Sequence, residues 1–262
     1  MAPTETGGYN EAVTDAVPGV RLLDVQREDA VGTVMSATLL ATGERVAVRR
    51  LHGHLCEEES ARLIFAEEAK RIATLDHPFL LKVRKADMRA AVPWMLTDPV
   101  DGGTLEDEIA KGAWTVSNAK ALVWGVLKAF QQLEQRRQFH AAPVPSKIVR
   151  VGDGWKLVTF RDVRAEDEAP RMKGRLPDAR WSAPEYSPTH GAVPKARTLS
   201  AWAAGALWFG VRTQKAPGEA PIPSERAPTA EGRLLARLLD REPLRRPHGA
   251  EACLALMMEV GG

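Results

Sequence analysis

The sequence predicts an α+β fold in which a small antiparallel sheet bearing one helix precedes a larger, mainly helical part. Three observations carry this prediction. Residues 33–49 read strand, turn, strand: Thr33–Leu40 is rich in strand formers, Ala41-Thr42-Gly43-Glu44 supplies a turn, and Arg45–Arg49 alternates apolar with charged residues. Helical periodicity follows over Glu57–Leu75. Beyond residue 99 the pattern is mostly helical, with long segments at Ser117–Arg136 and Leu199–Val211.

In chain order, residues 1–19 are polar, contain Gly7-Gly8 and close on Pro18-Gly19, which predicts a flexible tail. After the hairpin, Glu57–Leu75 places Leu63, Ala66, Ala69, Ile72 and Ala73 on one face, and His77-Pro78 stops the helix. Leu80–Arg84 and Val92–Leu96 read as two further strands, and Leu105–Lys111 as a short helix. Ser117 is a candidate N-cap for the long helix, whose Leu122, Val126, Phe130 and Leu133 recur at core-facing spacing. Leu199–Val211 is apolar on all sides, as expected of a central buried helix. Gln214–Ala227, rich in Pro, Gly and polar residues, reads as a loop before the last helices, Arg233–Asp240 and Gly249–Glu259. The expected units are therefore a tail (1–19), a sheet part (20–98) and a helical part (99–262).

Composition narrows the function classes. With 44% apolar and 27% charged residues the chain is an ordinary globular sequence, and a net charge of +2 gives no electrostatic basis for nucleic-acid binding or an anionic membrane. The longest apolar run has the length of a core helix, too short to span a bilayer, so no membrane insertion is expected. The first residues lack the basic and apolar regions of a secretory signal. Two unpatterned cysteines, Cys56 and Cys253, point to a reducing compartment, and a cytoplasmic location is expected.

A set of motifs then appears in a fixed order. Val46-Ala47-Val48-Arg49 is followed by Glu68 in the next helix, then by Thr97 and Gly102-Gly103-Thr104-Leu105. Phe139-His140-Ala141-Ala142-Pro143-Val144-Pro145-Ser146-Lys147, Lys156-Leu157-Val158-Thr159-Phe160-Arg161, Ser182-Ala183-Pro184-Glu185 and Arg246 complete it. In this order and spacing the chain resembles a bacterial-type Ser/Thr protein kinase domain over about residues 20–260. The resemblance implies a bilobal fold, a small antiparallel N-lobe with one helix and a larger helical C-lobe. The loop 214–227 falls where kinases often carry the substrate-docking helix G, which is expected to be missing.

Where the family carries its chemistry, this sequence departs from it. The family's H-R-D-x-x-x-x-N and D-F-G supply a proton acceptor and two Mg²⁺ ligands. Here the acceptor position is Ala142, and the ligand positions are Lys147 and Thr159. The invariant lysine is Arg49, whose planar fork is expected to pair with Glu68. Of the glycine-rich loop, Arg27-Glu28-Asp29-Ala30-Val31-Gly32, only Gly32 remains. The retained residues serve packing: His140 and Phe160 are expected to stack with Ile72 and Val83, and Glu185 to pair with Arg246. Residues 161–181 contain no Ser, Thr or Tyr, so the usual phosphorylation switch has no acceptor there. Losing one pre-organised charge-stabilising group commonly costs roughly 10²–10³ in rate, and here the base and both ligands are replaced together.

The resemblance therefore implies a catalytically inactive pseudokinase, a scaffold or allosteric regulator whose partner is a protein, such as an active kinase or another signalling regulator. The alternatives are a divergent nucleotide-dependent transferase or a nucleotide-gated binding module. A vestigial nucleotide pocket would use Gly32, Val34, Ala47, Arg49, Thr97 and Val149, with Lys147 or Arg161 standing in for the metal charge. No cofactor or metal is otherwise expected. Among other features, His52-Gly53-His54-Leu55-Cys56 holds metal-capable residues but has no evident fourth ligand. Trp181 is a candidate exposed partner contact, Glu166-Asp167-Glu168 a candidate solvated patch, and Thr4, Thr6 and Thr14 candidate phosphate acceptors in the tail.

Overall fold

Side-chain alternation in the first hundred residues yields five strands in the computed structural model of the chain, which describes residues 17–100, 102–175 and 178–260. Strands β1 (Val20–Glu28), β2 (Gly32–Leu39), β3 (Arg45–Leu51), β4 (Val83–Asp87) and β5 (Trp94–Thr97) form one antiparallel sheet in the order β1-β2-β3-β5-β4. Helix α1 (Glu59–Ala73) lies between β3 and β4 in the chain. Register sets the faces: Val34 pairs with Arg49, and Ala47 with Thr97, so the period of two places these residues together on one side. Val34, Ala47 and Met95 join the main core, whereas Val46, Val48, Trp94 and Leu96 pack in a separate cluster on the other side.

Three expectations for this part are corrected. The strands after α1 start later than predicted, at Val83 and Trp94. Helix α1 buries Ala61, Phe65, Glu68, Ala69 and Ile72, while Leu63 is 58% exposed and Ala73 is also exposed. Phe65 is the largest anchor, and the spacing 61/65/68/72 turns Leu63 to the opposite face. The predicted tail extends too far, because Val17 is buried against the sheet and Val20 N–H donates to its carbonyl. Residues 1–16, with Thr4, Thr6 and Thr14, and Asp101 lie outside the described residues.

The remainder contains α2 (Leu105–Lys111), α3 (Val116–Gln135), α4 (Ala196–Thr213), α5 (Ala230–Leu238) and α6 (Ala250–Met257). Thr115, rather than Ser117, caps α3, its hydroxyl accepting from Asn118 N at 3.2 Å. Helix α4 is buried almost throughout, and a Cβ at Gly205 would lie 2.7 Å from Leu238, so glycine lets α4 and α5 approach closely. Residues 214–229 join these helices without helix or strand. Four short strands were not predicted: β6 (Gln138–His140) pairs with β9 (Val163–Ala165), and β7 (Ile148–Val151) with β8 (Gly154–Leu157). Segments this short show no measurable period and exist because a pairing partner is present. Among the described residues no helix is long and apolar enough to cross a membrane.

Candidate functional site

The motifs converge where the sheet meets the helical part. Strand β3 carries Arg49 inward and α1 brings Glu68 to it: Arg49 Nε donates to Glu68 Oε1 at 2.7 Å and Nη2 to Oε2 at 3.2 Å. The expected pair is present and almost fully buried. The Arg49 guanidinium also lies over Phe160, 5.2 Å from the ring centroid, and near Phe65 at 5.7 Å. Burial pushes the Glu68 carboxyl above its usual range, and Arg49 draws it back only in part.

Strands β1 and β2 meet over this pair. Asp29 Oδ1 accepts from Val31 N at 2.8 Å and Gly32 N at 3.2 Å, holding a tight turn. That turn places Asp29 Oδ2 3.1 Å from Arg49 Nη1, and Oδ1 3.5 Å from Arg161 Nη1. Gly32 has a steric role: a Cβ there would lie 2.0 Å from the Arg50 carbonyl, so glycine lets β2 lie against β3. Arg27 Nη1 reaches across to the Ser146 carbonyl at 2.8 Å. A carboxylate of the chain thus occupies the cationic end of the cleft.

Burial raises the Asp29 pKa, but Arg49, the Val31 amide and Arg161 outweigh it and hold the carboxyl below the usual range. Asp98 is held low in the same way against burial, by Lys156 and Arg84. A depressed native pKa means the unfolded state binds the proton more readily. The stabilisation is therefore present above the ordinary aspartate pKa of about 3.9 and is lost as pH falls through the native value. Glu68 acts in the opposite sense. Asp29 is 36% exposed, so its share is screened and expected to be below about 1 kcal/mol. In melting temperatures recorded from pH 5 downward, Asp29→Asn should flatten the acid-side decline relative to wild type. An unchanged slope would remove Asp29 from the acid response.

The positions that align with the kinase catalytic motifs are buried or paired within the chain. Ala142 is buried, and the Tyr186 hydroxyl donates to the neighbouring Ala141 carbonyl at 2.9 Å. Lys147 Nζ lies 3.1 Å from Asp162 Oδ2, an ion contact without hydrogen-bond alignment. Thr159 is fully buried, and its hydroxyl has no hydrogen-bond partner among the described residues. Arg161 stands at the family's glycine position with φ 58°, a left-handed conformation costing an arginine of order 1 kcal/mol. The donor set does not fit a Mg²⁺ ion, since an ammonium and a threonine hydroxyl stand at the two ligand positions. Among the described residues no group of three His, Cys, Asp or Glu is placed to hold a metal ion, the segment from His52 to Cys56 included. There, His52 and His54 stack at 5.3 Å, and His52 Nε2 lies 2.7 Å from the Asp29 carbonyl.

His140 is buried. Its Nε2 lies 2.8 Å from the Val158 carbonyl, and its Nδ1 accepts from Ala142 N at 3.3 Å. These two bonds select the neutral Nε2–H tautomer, and burial pushes the pKa down in the same direction. Ile72 and Phe160 share the main core, with Val83 packed against it.

Beside the polar end, Val34, Ala47, Thr97 and Val149 are all buried. A cavity of about 290 Å³ is lined by Asp29, Val34, Arg49, Lys147 and Phe160 among others. The Thr97 hydroxyl donates to the Asp98 carbonyl at 3.0 Å. Asp98 accepts from Arg84 Nε at 2.9 Å and Lys156 Nζ at 2.8 Å, tying β4 and β5 to β8. No sequence signal joins these residues, because lysine and arginine are common and the partners are distant.

Further away, Glu185 and Arg246 form the expected pair, bidentate at 2.7 and 2.8 Å and buried. Two expectations are overturned. Trp181 is only 7% exposed, its ring packing where a Cβ on Gly210 would clash at 2.4 Å, so it offers no surface to a partner. The acidic run is not simply solvated: Glu168 is 18% exposed and meets Arg71 and Arg164, while Glu166 meets Arg197.

Comparison with known proteins finds serine/threonine protein kinases. The chain is 30% identical over 121 residues to the serine/threonine-protein kinase AfsK of Streptomyces coelicolor, covering 46% of this chain and 15% of that protein. It is 26% identical over 146 residues to serine/threonine-protein kinase PknJ of Mycobacterium tuberculosis (55% of this chain, 25% of that one). With serine/threonine-protein kinase PAK mbt of Drosophila melanogaster it shares 24% identity over 182 residues (69% and 28%). The matches thus span less than a third of each relative's length. No family model matches the chain. These similarities support a kinase-like domain.

Proposed function

We propose that the chain is a catalytically inactive, bilobal kinase-like domain that acts through protein binding, as a scaffold or allosteric regulator. Residues 20–98 correspond to the small lobe and 99–262 to the large one, with the connection 214–229 in place of helix G. The observation that carries this reading is the Asp29 carboxylate on Arg49 and Arg161. The cations that face the phosphate position are already neutralised from within the chain. An incoming polyphosphate must displace that carboxylate without a metal ion to share its charge. Ala142 offers no proton acceptor, and Lys147 carries the wrong charge for a metal ligand.

The partner implied is another protein, such as an active kinase or a further signalling regulator. A nucleotide-gated module is the second reading, favoured by the cavity that Val34, Arg49, Lys147, Val158 and Phe160 help to line. Thermal-shift titration with ATP, with and without Mg²⁺, followed by a radiolabel transfer assay, separates these readings. The expected result is no Mg²⁺-dependent shift and no transfer. A shift without turnover selects the gated module. Turnover lost in Arg49→Ala establishes the transferase and removes the inactive reading.

A further inference from the structure

We propose that Glu168 is a built-in ionic clamp that docks α1 onto the segment 163–172, so that this segment is ordered without phosphorylation. The segment runs from β9 into a 3-10 helix over Glu166–Met172. Glu168 Oε1 lies 3.1 Å from Arg71 Nη1, which comes from α1, and accepts from Ala165 N at 3.2 Å. Glu168 Oε2 accepts from Arg164 Nη1 on β9 at 3.3 Å. One carboxylate therefore joins a helix, a strand and a backbone amide. That is the set of donors an added phosphate would use to order such a segment, and residues 161–181 contain no hydroxyl to carry one.

The tie matters because the packing beneath it is open. A cavity of about 450 Å³ lies between α1 and the segment, lined by Ile72, Thr159 and Val163 and also by Arg71, Arg164 and Glu168 themselves. Arg71 stands three residues after Glu68 on α1, so the two share a face. Holding Arg71 fixes the rotation of α1 that aims Glu68 at Arg49. The segment has a second anchor, because β9 pairs with β6 and Glu166 N donates to the Arg137 carbonyl at 2.8 Å. Among the described residues, no other hydrogen bond or ion pair is seen between α1 and the segment. The clamp is accordingly expected to govern α1 as well as Glu168's own turn, whether or not the cleft takes a nucleotide.

Hydrogen exchange on the full chain tests this. Glu168→Gln removes the charge but keeps an oxygen for the Ala165 amide. Arg71→Gln removes the partner from a partly exposed helix position, 34% exposed, so it carries the test even if the first variant folds poorly. Each variant should speed exchange in both 59–73 and 163–172 by about tenfold, the scale of a hydrogen bond to a charged group. The double variant should exceed neither single one. Acceleration confined to 163–172, or additive effects in the double variant, would overturn the clamp.

Discussion

Arg246→Ala is expected to lower the melting temperature by roughly 6–20 °C, following a loss of about 3–5 kcal/mol at about 2–4 °C per kcal/mol for a domain of this size. The pair it breaks is inaccessible: the Glu185 and Arg246 side chains are both 0% exposed. Removing the guanidinium leaves two carboxylate oxygens without their donors. It also removes the bonds from Arg246 Nε to the Asp240 carbonyl at 2.7 Å and from Nη1 to the Thr198 carbonyl at 3.3 Å. The stacking of the guanidinium over Trp202 at 4.9 Å disappears as well. Most of the loss arises from stranding a buried charge, since the net attraction of a buried pair is small once desolvation is counted. The double replacement Arg246→Met with Glu185→Leu should therefore recover much of the stability that Arg246→Ala loses. Thermal denaturation of the two single variants and the double one measures this coupling. Single variants within about 1 kcal/mol of wild type would show that water reaches the pair.

Arg49→Ala is the second large effect, again about 3–5 kcal/mol. Arg49 is 1% exposed and serves Glu68, Asp29 and two aromatic rings at once. Without it, Glu68 on α1 keeps its burial and loses its counter-charge. The informative companion is Arg49→Lys, which restores the family's residue. A single ammonium cannot reproduce the two-point contact with Glu68 while also reaching Asp29. It should cost about 1–3 kcal/mol and confer no transfer activity, because Ala142, Lys147 and Thr159 are unchanged. Asp29→Ala, at the half-exposed end of the same network, should cost less than about 1 kcal/mol. Chemical denaturation of the three variants ranks them. An order in which Asp29→Ala exceeds Arg49→Ala would relocate the centre of the network to the β1–β2 turn.

Much of the sheet was legible because alternation over residues 33–49 is a local property. Helix α4 was equally legible, since a long run of apolar residues specifies its own state. For α1 the element was predicted but its buried face only in part: Ala69 and Ile72 are buried as expected, while Leu63 is not. Leu63 and Phe65 are both apolar, and only the neighbours in three dimensions decide which turns inward. Strands β6 to β9 escaped because three or four residues carry no period. The pairs Arg49–Glu68 and Glu185–Arg246 were legible only through the order of motifs, which brought residues 19 and 61 positions apart into one expectation.

The ion pairs that define the cleft are a different matter. Asp29, Lys147, Arg161, Asp162 and Glu168 could each be read as a charge, and Glu168 was read as solvated. Charge has no direction along a chain, so its partner is set by which elements the fold brings together. Arg161 meets a carboxylate 132 positions away, a distance over which sequence spacing contains no information. By itself the sequence determined the strands and helices with local periodicity, and the departures from the kinase motifs at Ala142, Lys147 and Thr159. Only the tertiary structure decided which charges meet, because burial and Coulombic contact depend on separation in space: Asp29 on Arg49, Asp162 beside Lys147, and Glu168 between α1 and β9.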